Sequence, residues 1–503
     1  MPSFAFSTQG PEAVEAAALA VFATKADDRI QLGSDAEALG AHLGIDLTAE
    51  LAALHFDGKL GAVARVPTRE AVRAPLALVV GLGEEPGTGE LRAASGAAAR
   101  AAAKDEDLAV IVPGDLLAGE VDALARSRAV TEGLALGSYA FTTYRSKAPD
   151  APGVSAVTLL AGAGLDGGAV EDGMDAGVVS GEAVCLVRDL VNEPPAGKRP
   201  PAFAERARDL ASEAGCAVTV HDEHALAAGG FGGIVGVGQG SGAPPRLVEI
   251  THAPEGAQRH VVLVGKGITF DTGGVSLKPT SGMVTMKMDM AGAATALAAV
   301  VTAARLGLEV RVTALLALAE NMVSGEAYRV SDVLTHRNGT TVEVTNTDAE
   351  GRLVMADALA YGAESEPDAM VDIATLTGAQ IVALGTRVAG LMGSDDDLLA
   401  GLEQAADDTD ESVWRLPLPA EYREHLDSDV ADLKNTGKGR EAGTIAAGLF
   451  LKEFTGDRPW AHLDIAGPAF DEKGDGKLHG KGGTGMGLRT LVRWLETEAA
   501  ADA

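Results

Sequence analysis

The fold is decided by a short apolar strand and the glycine-rich segment that follows it, His260-Val261-Val262-Leu263-Val264-Gly265-Lys266-Gly267-Ile268-Thr269-Phe270-Asp271-Thr272-Gly273-Gly274. An unbroken apolar run of this length, bounded by glycines, indicates a strand that is buried on both faces. Lys266 ends this predicted strand and Asp271 lies in the predicted loop, which is where ligands bind in open α/β sheets. The segment therefore predicts both a fold class and the place of a site.

The same alternation of strands and helices continues on both sides of this segment. Helices are predicted over Ala293–Leu306 and Arg352–Ala363, where alanine and leucine are frequent. Strands that alternate with helices favour an α/β fold with a mixed sheet covered by helices on both faces. The strands predicted around the opening segment are Ala217–Val220, Leu247–Thr251, Glu309–Leu316, Thr341–Thr345 and Met370–Ile373.

The first third of the chain shows a separate α/β pattern. Strands are predicted at Leu76–Gly81 and Val157–Leu160, with an alanine-rich helix between Glu90 and Lys104. Glycines cluster from Gly162 to Gly173, which is typical of a domain junction. We therefore predict an N-terminal α/β domain over 1–170 that serves as scaffold and in oligomer contacts, a linker helix over 171–191, and a larger catalytic domain over 192–503.

Composition narrows the functional class. The 503 residues carry a net charge of −31, which argues against nucleic acid and anionic lipid as partners. No uncharged apolar run reaches about 18 residues, so no membrane span is predicted. The first residues, Met1-Pro2-Ser3-Phe4-Ala5, lack the basic region of a signal peptide, and we expect a cytoplasmic protein.

Charged residues gather in two segments at the ends of predicted strands, and the first segment runs from Lys266 to Asp289. The second segment is Asn346-Thr347-Asp348-Ala349-Glu350-Gly351-Arg352-Leu353, just before a predicted helix. If it is extended, Asp348 and Glu350 point to the same side. The combined set is Lys266, Asp271, Lys278, Asp289, Asp348, Glu350 and Arg352.

Four carboxylates and two lysines beside glycines indicate a site for hard divalent cations. Two metal ions about 4 Å apart need bridging carboxylates, and four are available. Arg352 offers a guanidinium fork for an anion. The alternative is a set of helix caps and surface ion pairs, which suits any one of these residues better than it suits the whole set.

Other catalytic signatures are absent from the sequence. There is no phosphate-binding GxxxxGK[ST] loop, no GxSxG nucleophile elbow and no HExxH zinc motif. Phe270 stands where a dinucleotide-binding fingerprint needs its third glycine.

Both charged segments resemble the leucyl aminopeptidase (cytosol aminopeptidase) family. The run from Asn346 to Leu353 matches the family signature NTDAEGRL at every position, and Lys266–Asp271 with Ser276–Pro279 resembles the other half. More distant matches extend the resemblance from about Arg188 to Leu491. Residues 1–170 carry no motif that resembles a known family.

The resemblance implies a role for each residue of the set. Lys266, Asp271, Asp289 and Glu350 would hold the tighter of two metal ions. Asp271, Asp348 and Glu350 would hold the more exchangeable ion, with Asp271 and Glu350 bridging and the Asp348 carbonyl a further ligand. Lys278 would stabilise the tetrahedral oxyanion, and Arg352 would position a bicarbonate ion as general base. The pocket for the substrate would be lined by Met286, Thr375, Leu376 and Gly378.

The implied activity is that of a metalloaminopeptidase, a hydrolase that releases N-terminal residues, Leu and other apolar ones preferred, from peptides. The implied cofactors are two Mn²⁺ or Zn²⁺ ions per subunit and bicarbonate, and the implied assembly is a homohexamer. The choice of metal, the physiological peptide, any second regulatory function and the role of the N-terminal domain stay open.

Two other functions are compatible with parts of the pattern. A regulatory or DNA-binding protein could use this fold, but the negative charge and the complete ligand set argue against it. A two-metal phosphatase or amidohydrolase would use several histidine ligands, and the charged segments contain none.

Overall fold

A computed structural model describes residues 1–27, 29–147, 153–439 and 441–500, which form two compact units. The first unit comprises Met1–Cys185 and Lys473–Lys481, and the second comprises Leu186–Glu472 and Gly482–Ala503. The boundary falls inside one long helix, Gly167–Asn192, which contains the whole stretch predicted as a linker. The domain limits at 170 and 191 stay a prediction.

The first unit is built on one mixed sheet. Its elements are β1 (Ser3–Ser7), β2 (Ala18–Ala26), β3 (Arg29–Leu32), α1 (Ser34–Leu43), α2 (Leu47–Ala53), β4 (Val63–Pro67), β5 (Leu76–Gly81), α3 (Thr88–Ala101), β6 (Asp107–Val112), α4 (Ala123–Ser138), β7 (Ala156–Ala161) and the long helix α5 (Gly167–Asn192). The strand order is β1-β7-β6-β2-β5-β4, with β3 beside β2. A hydrophobic core lies on each face of this sheet, and strand β2 contributes to both. Ala18, Ala20 and Phe22 belong to one core, and Leu19 and Val21 belong to the other. Such a strand is apolar along its whole length because both of its faces are covered.

The second unit contains a larger mixed sheet with the order β16-β15-β18-β14-β10-β11-β9-β8. Smaller sheets join β12, β13 and β17, and β19 with β20. The strands are β8 (Ala217–His221), β9 (Arg246–His252), β10 (His260–Asp271), β11 (Arg311–Asn321), β12 (Val333–Thr335), β13 (Thr341–Glu343), β14 (Ala369–Ala374), β15 (Ala389–Gly393), β16 (Val413–Arg415), β17 (Leu433–Lys434), β18 (Trp460–Asp464), β19 (Phe470–Asp471) and β20 (Gly482–Gly483). The helices are α6 (Pro200–Glu213), α7 (Glu223–Ala228), α8 (Gly232–Gly238), α9 (Thr280–Met283), α10 (Ala291–Arg305), α11 (Gly351–Ala363), α12 (Gly378–Leu384), α13 (Asp396–Thr409), α14 (Gly443–Lys452) and α15 (Leu488–Ala500), with 3-10 turns at Pro195–Gly197, Met286–Met288 and Ala420–Leu426.

Four neighbouring strands of this sheet, β11, β10, β14 and β18, run parallel. Their carboxyl ends therefore meet at one edge of the sheet. The last residues of these strands are Asn321, Asp271, Ala374 and Asp464, in that order across the sheet. This polar edge is the part of the fold that positions the site.

Helix α10 packs against the sheet, and its residues from Ala291 to Ala303 are buried. The stretch Thr280–Arg305, which includes this helix, is long and apolar enough to cross a membrane by length and composition alone. However, 72% of its apolar window is buried inside the protein, which is the behaviour of a core helix.

The α/β class with a mixed, helix-covered sheet is confirmed, but strands β10 and β11 extend five or more residues beyond their predicted ends. Strand β10 continues past Lys266, the predicted end, to Asp271, so Lys266 lies inside it and Asp271 is its last residue. Pairing explains the extension: Lys266 is opposite Ala317 of β11, and a bulge interrupts the register only between Ile268 and Asp271. Gly265 and Gly267 therefore belong to a strand because a neighbouring strand supplies their hydrogen-bond partners.

Candidate metal centre and active site

Six charged side chains meet at the carboxyl edge of the β10–β11–β14 strands. Lys266 points from within β10, and Asp271 ends that strand. Asp289 follows the 3-10 turn Met286–Met288 and is tied to β10, because its carbonyl accepts a hydrogen bond from the Ile268 amide. Glu350 is the N-cap of α11. Asp348 and Lys278 complete the set.

Lys266 is the buried cation at the centre of the cluster, with a side chain that is 3% exposed. Its Nζ donates to Asp289 Oδ1 at 2.7 Å and to the Thr375 carbonyl at 2.9 Å, and it lies 3.0 Å from Glu350 Oε1. Gly351 leaves room for this side chain, because a Cβ at that position would lie 2.5 Å from Lys266 Cε. The lysine thus joins two carboxylates that come from different elements.

Lys278 is the second cation, and it is more accessible, with 17% of its side chain exposed. Its Nζ lies 2.7 Å from Asp271 Oδ2 and also contacts Asp348 Oδ1. The Asp348 side chain is 34% exposed, whereas Asp271 is 3% exposed. Lys278 and Asp348 therefore form the solvent-facing side of the cluster.

Three of the four carboxylates lie close enough together to be candidate ligands of one cation. One oxygen each from Asp271, Asp348 and Glu350 lie within 4.8 Å of one another. Asp289 is outside this group of three and joins it through Lys266. Asp289 Oδ2 and Glu350 Oε2 are buried, and neither has a hydrogen-bond partner in the described part of the chain. Unsatisfied buried carboxylate oxygens are costly, and a bound divalent ion would satisfy them.

The charge balance points the same way. Four carboxylates against two ammonium groups leave the cluster with an excess of two negative charges when all six are ionised. Burial raises the pKa of Asp289, and the charge of Asp271 adds to this effect. Burial likewise raises the pKa of Glu350. An excess of negative charge and raised carboxyl pKa values are typical of a site that binds cations.

The lysines respond in the opposite direction. Burial would lower the pKa of Lys266, but the charges of Asp289 and Glu350 raise it above its usual value. Burial would also lower the pKa of Lys278, and Asp271 raises it. Both ammonium groups are therefore charged in the metal-free site.

The backbone conformation that brings Asp348 and Glu350 together is a turn followed by the start of a helix. The segment is not extended: residues 346–349 form a turn, in which the Ala349 amide donates to the Asn346 carbonyl at 3.3 Å. Glu350 already has helical backbone angles, φ −76° and ψ −34°. A turn followed by a helix N-cap thus directs both carboxylates to the cluster.

Arg352 lies in the first turn of α11 and is 8% exposed. Its Nη1 donates to the Asn435 carbonyl at 2.9 Å, while its buried Nε has no hydrogen-bond partner among the described residues. Burial lowers the pKa of Arg352 to about 10, so the side chain stays charged at neutral pH. A buried cation with a free donor is suited to binding a small anion.

Of the four predicted pocket residues, Thr375 has the most contacts with the cluster. Besides accepting from Lys266, it donates from Oγ1 to Asp289 Oδ1 at 2.8 Å. Leu376 follows it and donates its amide to Asp464 Oδ1 at 3.2 Å. Met286 begins the turn that leads to Asp289, and Gly378 is the exposed first residue of α12.

Two buried residues at the same edge were missed by the sequence analysis. Asp464 accepts from Thr377 Oγ1 at 2.6 Å and so holds the Thr375–Thr377 segment. Asn321 donates to Asp271 Oδ1 at 2.8 Å. Both end strands that are parallel to β10, so carrying the predicted strand at Glu309–Leu316 five residues further would have placed Asn321 beside Asp271.

The family comparisons cover most of the chain. The model described as "Cytosol aminopeptidase family, catalytic domain" matches residues 185–492. The model described as "Cytosol aminopeptidase family, N-terminal domain" matches residues 18–148.

Individual relatives match over their full lengths. A "Probable cytosol aminopeptidase" from Streptomyces coelicolor is 45% identical over 523 aligned residues and 100% of both chains. One from Leifsonia xyli subsp. xyli is 47% identical over 508 residues and 98% of both chains.

Two solved structures are similar in fold. The bottromycin maturation enzyme BotP in complex with Mn has a TM-score of 0.85 at 39% identity, over 96% of this chain and 100% of that chain. A lysine-to-glutamate mutant of tomato leucine aminopeptidase has a TM-score of 0.86 at 31% identity, over 99% of this chain and 97% of that chain.

Proposed function

Because this chain belongs to the cytosol aminopeptidase family, we propose that it removes N-terminal residues from peptides with a preference for Leu and other apolar side chains. Membership makes it an aminopeptidase, a metal-dependent exopeptidase and hydrolase. The observation that carries the proposal is the cluster of four carboxylates, in which the buried oxygens Asp289 Oδ2 and Glu350 Oε2 lack partners among the described residues.

We propose that the residues of the cluster hold two divalent ions. Lys266, Asp271, Asp289 and Glu350 would hold the tighter ion. Asp271, Asp348 and Glu350 would hold the more exchangeable ion, with the Asp348 carbonyl as a further ligand, so that Asp271 and Glu350 would serve both ions. Mn²⁺ and Zn²⁺ both suit this set, and BotP, a structural relative, was solved with Mn.

When bound, the ions would supply Lewis acidity at the peptide carbonyl and lower the pKa of water toward neutrality. The chain supplies the rest. Lys266 must give up its proton to serve as a ligand, so ion binding at this site releases protons. Lys278 is not in the ligand set, keeps its charge, and donates from Nζ to the oxyanion that forms on the substrate.

Arg352 is proposed to hold bicarbonate, which would supply the general base that the cluster itself lacks. Its Nε, which has no hydrogen-bond partner among the described residues, is the donor that supports this role. The test is the rate of cleavage as bicarbonate is added to carbonate-free buffer. We expect the rate of the wild type to rise and that of Arg352→Gln to stay low and flat. A variant that responds to bicarbonate as the wild type does would contradict the role.

The enzyme would require a free N-terminus if the α-amine of the peptide is one of the groups that bind in the site. Thr375, Leu376, Met286 and Gly378 are proposed to line the pocket for the first side chain. Thr375 has the closest support, because it contacts Lys266 and Asp289 directly.

The deciding experiment is cleavage of Leu-p-nitroanilide by the full chain. Activity should disappear after chelation, return with Mn²⁺ or Zn²⁺, and be absent for the N-acetylated substrate. Absence of cleavage with either ion in correctly folded protein would overturn the proposal.

We further propose a cytoplasmic location and a homohexameric assembly with peptides as substrates. Cell fractionation tests the location.

A further inference from the structure

Asn321 contacts two of the segments that carry the carboxylates, the end of β10 and the turn at 346–349. It is the last residue of β11, it is completely buried, and it lies opposite Asp271 in the parallel pairing of β10 and β11. Its Nδ2 donates to Asp271 Oδ1 at 2.8 Å and to the Thr347 carbonyl at 3.0 Å. One side-chain amide thus links the end of β10 to the turn that precedes Asp348.

The orientation of this amide is fixed by its partners. A carboxylate and a carbonyl only accept hydrogen bonds, so the NH₂ group must face them and Oδ1 must face away. Asn321 Oδ1 is buried and has no hydrogen-bond partner within the described ranges. Gly274, with φ +65°, packs beside it, and a Cβ there would lie 2.9 Å from that oxygen. The Asn321 amide thus donates two hydrogen bonds through Nδ2, while its Oδ1 accepts none from the described residues.

The contact orients the Asp271 carboxylate. Oδ1 accepts from both Asn321 Nδ2 and the Gly273 amide, each at 2.8 Å. Oδ2 is the oxygen that faces Lys278, at 2.7 Å. With Oδ1 held by two donors, the carboxylate has little freedom to rotate, and Oδ2 stays directed at the cluster.

The second contact holds the other loop. The Thr347 carbonyl also accepts from Tyr328 Oη at 2.7 Å, and Tyr328 is buried. Tyr328 contacts Thr347 but is not a hydrogen-bond partner of Asp271. It therefore offers a natural control, because it supports one of the two loops that Asn321 supports.

We propose that Asn321 is a positioning residue of the metal centre, which holds Asp271 and the 346–350 loop at the separation that divalent ions require. The inference rests on the proposed function only in taking these carboxylates as ion ligands. Residues that orient metal ligands through hydrogen bonds typically contribute about 10–100-fold to metal affinity.

The test is the binding of Mn²⁺ to the chelator-treated full chain, measured by calorimetry and by the electron paramagnetic resonance signal of free Mn²⁺. Asn321→Leu keeps the approximate shape and removes both donors, and we expect it to bind Mn²⁺ about 10–100-fold more weakly. Tyr328→Phe removes only the Thr347 contact and should stay within about threefold of the wild type. Where the leucine variant does not fold, Asn321→Ala removes the same donors without adding volume.

Wild-type Mn²⁺ affinity in a folded Asn321 variant would overturn the inference, whatever its thermal stability. An equal loss in Tyr328→Phe would also overturn it, because the effect would then come from the Thr347 loop alone. The binding measurement involves no peptide cleavage. A wild type that binds Mn²⁺ but does not cleave Leu-p-nitroanilide would refute the proposed function and leave this inference standing.

Discussion

Among the residues of the cluster, Lys278 is the cation that can exchange partners. It has more exposed surface than Lys266, and it contacts Asp271 and Asp348, which are themselves proposed to bind metal ions. Divalent ions that neutralise these carboxylates would weaken their hold on the ammonium group. Lys278 would then be available to the substrate while staying charged.

Replacing Lys278 with Met should separate catalysis from metal binding. We expect kcat for Leu-p-nitroanilide to fall about 10²–10³-fold, the usual effect of removing one donor to an oxyanion. Mn²⁺ affinity should be unchanged or higher, because a competing cation is lost. Steady-state kinetics at saturating Mn²⁺, together with a binding titration, measure both quantities. A variant with wild-type kcat would show that Lys278 does not act on the oxyanion.

The raised pKa of Glu350 predicts how the metal-free protein responds to pH. A carboxyl whose pKa is higher in the folded than in the unfolded chain binds its proton more tightly when folded. The free energy of unfolding therefore decreases as pH rises from about 4.3, the unfolded value, toward the folded pKa. The decrease is at most about 1.4 kcal/mol per pH unit for this one group.

Denaturant titrations of chelator-treated protein between about pH 5 and pH 7 measure this slope. The matched control is Glu350→Gln, which should have a shallower slope because it cannot take up the proton. Excess Mn²⁺ should also reduce the slope of the wild type, since the ion replaces the proton. Equal slopes for the wild type and Glu350→Gln would contradict the assignment.

At the scale of elements, the start of α11 shows how closely a helix can approach the site. Gly351 is the first residue of α11, and a Cβ there would meet Lys266, which is held by Asp289 and the Thr375 carbonyl. Gly378 is also the first residue of a helix, α12, but among the described residues no atom beyond its chain neighbours and its own helix backbone lies within 4 Å of its hypothetical Cβ. The two glycines form a matched pair that differs in the space around them.

We therefore expect Gly351→Ala to be less stable than Gly378→Ala by about 1–3 kcal/mol, the usual cost of overpacking. Both variants gain the same helix preference, so the difference reports the collision with Lys266. Unfolding of the metal-free proteins by denaturant measures it. Equal free energies of unfolding would mean that Lys266 moves aside without cost.

The elements also show where sequence reasoning succeeds and where it stops. Asp271, Asp348 and Glu350 were identified from their segments, and the structure brings them within 4.8 Å of one another. Side-chain alternation, the simplest local rule, places Asp348 and Glu350 on one side only if the segment is extended, whereas a turn and a helix N-cap give the observed geometry. Asn321 was missed because β11 was predicted to end at Leu316. Its extension depends on pairing with β10, which a local pattern does not contain.

At the scale of the whole molecule, the fold class was predictable because the strands are continuous apolar runs separated by alanine-rich helices. Leu76–Gly81, for example, was predicted with the same bounds that β5 has. The boundary between the units was harder to predict from the sequence, since it lies within the uninterrupted helix Gly167–Asn192 and the first unit includes the distant segment Lys473–Lys481. Neither feature leaves a break in composition.

The proposed homohexamer is a prediction about the whole molecule. Each subunit has a mass of 51.0 kDa, so a hexamer has about 306 kDa, six times that value. Light scattering coupled to size-exclusion chromatography should give the larger mass at micromolar concentration. A single species near the subunit mass would contradict the assembly.

The segment Lys473–Lys481 has a consequence for how the protein is made. It belongs to the first unit, where the Lys477 carbonyl accepts from Arg100 Nε at 2.8 Å. On the ribosome, residues 186–481 must be added after Cys185 before that unit has all its parts, and at about 5–20 residues per second this takes roughly 15–60 s. The unit that is translated first is thus completed almost last. Throughout that interval the nascent chain exposes the surface around Arg100 that this late segment will cover.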